Sequence, residues 1–135
     1  MRYLLGMSLL LWVSTGWSAE YAVVVARESA ITSMDQSRIR DVFLRRRNFE
    51  GDTKLIPVNP LGEDELRRHF EENVLDMDRA AVSRYWTTSH FQGVSPPTTQ
   101  ASLQSVKRFV ERVEGAIAYL PLPMVDENVR VLYEF

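Results

Sequence analysis

The sequence has 135 residues, no cysteine, 16 Lys and Arg against 18 Asp and Glu, and a formal charge of −2. That length fits one domain. The acidic balance argues against general nucleic-acid binding, which needs surplus Lys and Arg to neutralise phosphates, and the missing cysteine excludes a disulfide-stapled scaffold or a thiol-linked lipid.

The first segment, MRYLLGMSLLLWVSTGWSA, has one early Arg, an apolar run and then small residues, with no charge between Tyr3 and Ala19. This layout predicts a signal peptide over residues 1–18. Cleavage after Ser18 puts the small residues Gly16 and Ser18 where the peptidase inspects them; cleavage after Ala19 would put bulky Trp17 there. A retained membrane anchor is the alternative, against which the apolar run is short and interrupted by Gly and Ser. Residues 19–135 are then one exported domain, more negative by the loss of Arg2, with no membrane span once the signal is removed. Export without disulfides predicts a bacterial periplasm.

Tyr21 to Ala26 (YAVVVA) is apolar and β-branched, which predicts a buried, central strand. Ser33 to Gln36 has capping-box spacing, so a helix is expected to about Leu44, with Ile39, Val42 and Phe43 inward and Arg38, Asp41 and Arg45 outward. NFEGD (48–52) predicts a turn. KLIPV (54–58) predicts a second strand that ends near Pro57 or lies at an edge.

After Gly62 a helix is expected, with Leu66, Phe70 and Val74 on one apolar stripe. Asp76 or Asp78 caps the next, which turns Val82, Tyr85, Trp86 and Phe91 inward. GVSPPTT (93–99) is irregular because consecutive prolines cannot continue a helix. Ser102 caps a last helix with Leu103, Val106, Val110 and Val113 inward, and Gly115 stops it. AIAYL (116–120) and VRVLY (129–133) close the chain as strands. Strands alternating with helices make the fold α/β.

The motifs for catalysis are missing. His69 and His90 lack metal-ligand spacing, and neither G-x-S-x-G nor a phosphate loop occurs. The expectation is no enzyme, no catalytic residue, no metal and no cofactor. His69 reads as a boundary residue, Arg45 to Arg47 as a basic spot suited to a helix end, and Trp86, Phe91 and Pro96-Pro97 as a packing group. The stretch VNPLGEDELRRHF (58–70) is more informative. A strand feeding a helix N-terminus is a common anion socket, yet this helix opens on Glu63, Asp64 and Glu65.

Three segments carry a resemblance: SAITSMDQSRIRDVFLRRRNFEGDTKLIPVN, LGEDELRRHFEENVL, and GAIAYLPL preceded by SLQSVKRFVERV. In order and spacing they resemble phosphate ABC-transporter substrate-binding proteins, over nearly all of residues 19–135. The resemblance implies a single, stand-alone lobe of a type II periplasmic-binding-protein fold, with a central mixed sheet flanked by helices. It implies ligand contacts from the Asn59–Glu65 loop, namely Asn59, Gly62, Glu63, Asp64 and Glu65. In that family the loop offers hydroxyls and free N–H groups; here Pro60 removes a donor and acids replace hydroxyls. The leading expectation is therefore a non-catalytic periplasmic protein that recognises a protein partner, periplasmic or membrane-borne, or a small solute. The alternative is a genuine solute-binding protein for phosphate or another small oxyanion, linked to ABC transport.

Overall fold

A computed structural model describes residues 18–62 and 64–135. The signal-peptide reading falls outside these residues except at Ser18, and Glu63 falls outside them as well.

In chain order the elements are β1 (Tyr21–Ala26), α1 (Gln36–Phe43), β2 (Phe49–Glu50), β3 (Thr53–Lys54), β4 (Ile56–Pro60), α2 (Glu65–Phe70), α3 (Arg79–Phe91), β5 (Thr98–Gln100), α4 (Leu103–Arg112), β6 (Ala116–Pro121) and β7 (Val129–Glu134). A π-helical turn, Glu71–Leu75, continues α2, and a 3-10 turn, Leu122–Met124, follows β6. Five strands form one mixed sheet in the order β5-β4-β6-β1-β7. β4 runs parallel to both β5 and β6, whereas β1 is antiparallel to β6 and β7. β2 and β3 form a separate small hairpin.

Successive strand residues face opposite sides, and the core divides accordingly. Val23, Val25, Ile117 and Tyr119 pack with Ile39, Val42, Phe43, Leu66 and Phe70 under α1 and α2. Ala22, Val24, Ala118 and Leu120 pack with Val106 and Val110 under α4. β1 is buried on both faces, as its continuous apolar run predicts. Each fully buried Val or Ile in these layers contributes about 1.5–3 kcal/mol of transfer free energy.

Local chemistry explains the departures from expectation. The α1 cap is Asp35, not Ser33: its carboxylate accepts from the Arg38 N–H at 2.9 Å, and the helix starts at Gln36. Asp78, not Asp76, caps α3, while Asp76 sits in left-handed backbone (φ 57°) and ends the π-helical turn. The second strand begins at Ile56. Pro57 is tolerated in this interior strand because β5 pairs only with Val58 to Pro60, leaving β6 alone beside the proline.

The loop expected from Gly93 to Thr99 ends in strand β5. Its three residues are too few for a periodicity signal. Phe91, expected inward, is 85% exposed at the end of α3. Ser102 caps α4 as expected, accepting from the Ser105 N–H at 3.1 Å. Gly115 adopts φ +80°, and a Cβ there would run into the Lys54 carbonyl oxygen. No helix among the described residues is long and apolar enough to cross a membrane.

Candidate functional site

The loop from Asn59 to Glu65 leaves the C-terminal end of β4 and enters α2. In open α/β sheets ligands gather at this edge. Asn59 is 8% exposed, and its side-chain oxygen accepts from the Tyr119 hydroxyl at 2.7 Å. Burial pushes the Tyr119 hydroxyl well above the ordinary phenol value, so it remains a donor. The Leu61 N–H bonds the Gln100 carbonyl of β5 at 2.8 Å and ties down the loop's entry. Gly62 turns the chain at φ +99°, where a side chain would be strained. Its neighbour Leu61 is 61% exposed.

Asp64 is committed to the helix. Its carboxylate accepts from the Arg67 N–H at 3.0 Å, and Glu65 follows in the first turn, where negative charge suits the macrodipole. Both acids are exposed. Of the loop residues expected to contact ligand, Asn59 therefore has its oxygen occupied, Gly62 shapes the backbone, and Asp64 and Glu65 face solvent.

Beneath the loop lies a cluster that the sequence reading missed. The Arg67 guanidinium approaches the carbonyls of Pro60 (3.4 Å) and Gly62 (3.3 Å), and its Nε lies 3.9 Å from Glu71 Oε2. Arg79, from the start of α3, reaches the same carboxylate, with 3.2 Å to Oε1 and 3.3 Å to Oε2. The Glu71 side chain is only 4% exposed. Arg67 faces both the loop carbonyls of Pro60 and Gly62 and the Glu71 carboxylate, so the cluster and the loop form one region. The Arg67–Glu71 pair has the i,i+4 spacing of neighbours on a helix face and was readable as such. Arg79 lies beyond a π-helical turn and a left-handed residue, and no sequence rule spans that break.

The remaining sequence features are absorbed into the structure. Arg38 and Arg47 both pair with Glu50, and Arg46 lies 3.8 Å from Asp41 and 5.4 Å above the Tyr85 ring. His69 packs against the rings of Tyr21 and Phe135 at 5.0 and 5.7 Å, a boundary residue as expected. The group of Trp86, Phe91 and Pro96-Pro97 separates: Trp86 packs on the core and Pro97 is buried, while Pro96 and Phe91 are exposed. Among the described residues no group of three His, Cys, Asp or Glu is placed to hold a metal ion.

No protein-family model matches the sequence, and no curated protein matches it. Among the solved structures that share the fold are two phosphate-transport proteins. One is a phosphate ABC transporter substrate-binding protein with bound phosphate from Clostridium perfringens, at TM-score 0.69 and 14% identity. The other is an ABC-type phosphate transport receptor from Vibrio cholerae, at TM-score 0.66 and 17% identity. Each match covers 84% of this chain but only 44% and 45% of the respective structure, so the chain spans less than half the length of the proteins it resembles. At such identities the likeness concerns the fold. The described residues have the fold of a single type II periplasmic-binding-protein lobe, a mixed sheet flanked by helices.

Proposed function

We propose that this protein is a non-catalytic solute-recognition lobe that binds phosphate or another small oxyanion, in connection with ABC transport across a bacterial envelope. The observation that carries the reading is the Asn59–Glu65 loop at the C-terminal edge of β4, in a fold shared with a phosphate-loaded binding protein. Asn59, Gly62, Glu63, Asp64 and Glu65 form the contact loop, and the cations of Arg67 and Arg79 stand behind it. Export by residues 1–18 and a periplasmic location belong to the same proposal.

The test is calorimetry on the chain purified from a periplasmic fraction, titrated with phosphate, sulfate and small organic acids. Saturable heats with one oxyanion in the millimolar range or below are expected, together with an N-terminus at Ala19 by mass spectrometry. Absence of heat with every anion at millimolar concentration sinks the solute reading.

A specific observation favours a second reading, recognition of a protein partner. The side-chain oxygen of Asn59 and the guanidinium of Arg67 are already engaged by the protein itself, while Leu61 stands exposed in the loop beside Gly62. Cross-linking from Leu61 in the envelope, lost on Leu61→Asp and accompanied by no phosphate heat, would select this reading over the first.

A further inference from the structure

We infer that Glu71 is a built-in competitor for the anion: its carboxylate holds the position between Arg67 and Arg79 that an external oxyanion would take. The inference rests on the solute reading for the location of the site and adds the residue that sets its affinity and selectivity.

Three observations converge. Glu71 is nearly sealed from solvent, yet both of its carboxylate oxygens lie within 3.2–3.9 Å of guanidinium nitrogens from two separate elements. Two arginines about one carboxylate form a clamp suited to any small oxyanion, because planar guanidinium groups match carboxylate and phosphate oxygens alike. The same Arg67 spans from Glu71 to the carbonyls of Pro60 and Gly62, so whatever neutralises it also sets the loop.

The backbone supplies the placement. Glu71 begins the π-helical turn, which closes with the Asp76 N–H on the Glu71 carbonyl. A regular α-helical turn would rotate the residues after Glu71 differently and re-aim Arg79. Such one-turn irregularities recur at functional sites. A carboxylate held this way offsets positive charge in the clamp, so an arriving anion must displace it or bind beside it. The consequence is weak binding, biased toward anions whose geometry and charge outcompete a carboxylate.

The test compares the wild-type chain, Glu71→Gln, and Glu71→Gln combined with Arg67→Gln, each titrated with inorganic phosphate in low salt after circular dichroism confirms folding. Glutamine keeps the size and one acceptor and removes the charge. The expected result is phosphate binding about tenfold or more tighter in Glu71→Gln than in the wild type, with the gain abolished in the double variant. A folded Glu71→Gln that binds phosphate no better overturns the inference. Thermal melts with and without about 10 mM phosphate, at matched ionic strength, cover the case in which Glu71→Gln is destabilised. Stabilisation by phosphate, larger than in the wild type, supports an external anion replacing the carboxylate. A chain that stays unfolded even with phosphate makes Glu71 a structural keystone and overturns the inference. Wild-type titrations report separately on the solute reading: silence with phosphate and with every other anion sinks that reading, while a gain in Glu71→Gln still stands for the clamp.

Discussion

Tyr119 of β6 and Asn59 of β4 lie side by side, two residues beyond the Pro57–Ile117 pair of the parallel ladder, and the tyrosine hydroxyl donates to the asparagine oxygen at 2.7 Å. This buried bond fastens the start of the candidate loop to the sheet. Tyr119→Phe removes the donor and leaves a buried acceptor unsatisfied, which costs about 1–3 kcal/mol. Urea denaturation at pH 7 should show that loss.

The same pair predicts a pH dependence. Burial raises the Tyr119 hydroxyl above its unfolded value, so the folded chain holds the phenolic proton more tightly. The stabilisation is complete below the unfolded phenol value of about 10 and is lost as pH climbs through it toward the folded value. The urea midpoint of the wild type should therefore fall more steeply above about pH 10 than that of Tyr119→Phe. Parallel alkaline limbs would show that Tyr119 is not responsible.

Gly115 gives a second stability prediction. It joins α4 to β6 at φ +80°, against the Lys54 carbonyl. Gly115→Ala adds left-handed strain and a clash with backbone that the β4–β6 ladder fixes nearby. A loss of about 2 kcal/mol or more is expected, because the backbone cannot yield as a flexible side chain would. Thermal melting against the wild type checks it. Gly51→Ala is the control, since its Cβ would meet open space.

Much of the fold was legible because burial dictates pattern. YAVVVA, the stripe of Leu66, Phe70 and Val74, and the Val106–Val110 pair all read correctly, since each reports a face turned from water. Caps were harder, because Ser33 and Asp35 both suit an N-cap and only backbone angles choose. Asp35→Ala should then cost about 1 kcal/mol, and Ser33→Ala less than about 0.5 kcal/mol, in urea denaturation. The reverse order would restore the capping box. The Asn59–Glu65 loop was legible as a strand-to-helix joint. The Arg67–Glu71–Arg79 cluster was not, because Arg79 comes from another element and meets Glu71 only through tertiary packing.

The acids at the start of α2 provide the last prediction. Asp64 and Glu65 stabilise their helix, which returns about 0.3–1 kcal/mol per charge at such a terminus. A unit charge about 4 Å from a bound anion costs on the order of 4 kcal/mol at a near-surface effective dielectric, and less where water screens it. Repulsion should therefore dominate any anion seated in this loop. Glu65→Gln, paired with Asp64→Ser so that a capping oxygen survives, is expected to tighten phosphate binding about tenfold at low salt. The gain should shrink toward 1 M salt, where the screening length falls to about 3 Å. Calorimetry at two ionic strengths reads both effects. A gain independent of salt would point to a new hydrogen bond from the serine, and no gain at either strength would place the anion away from this helix start.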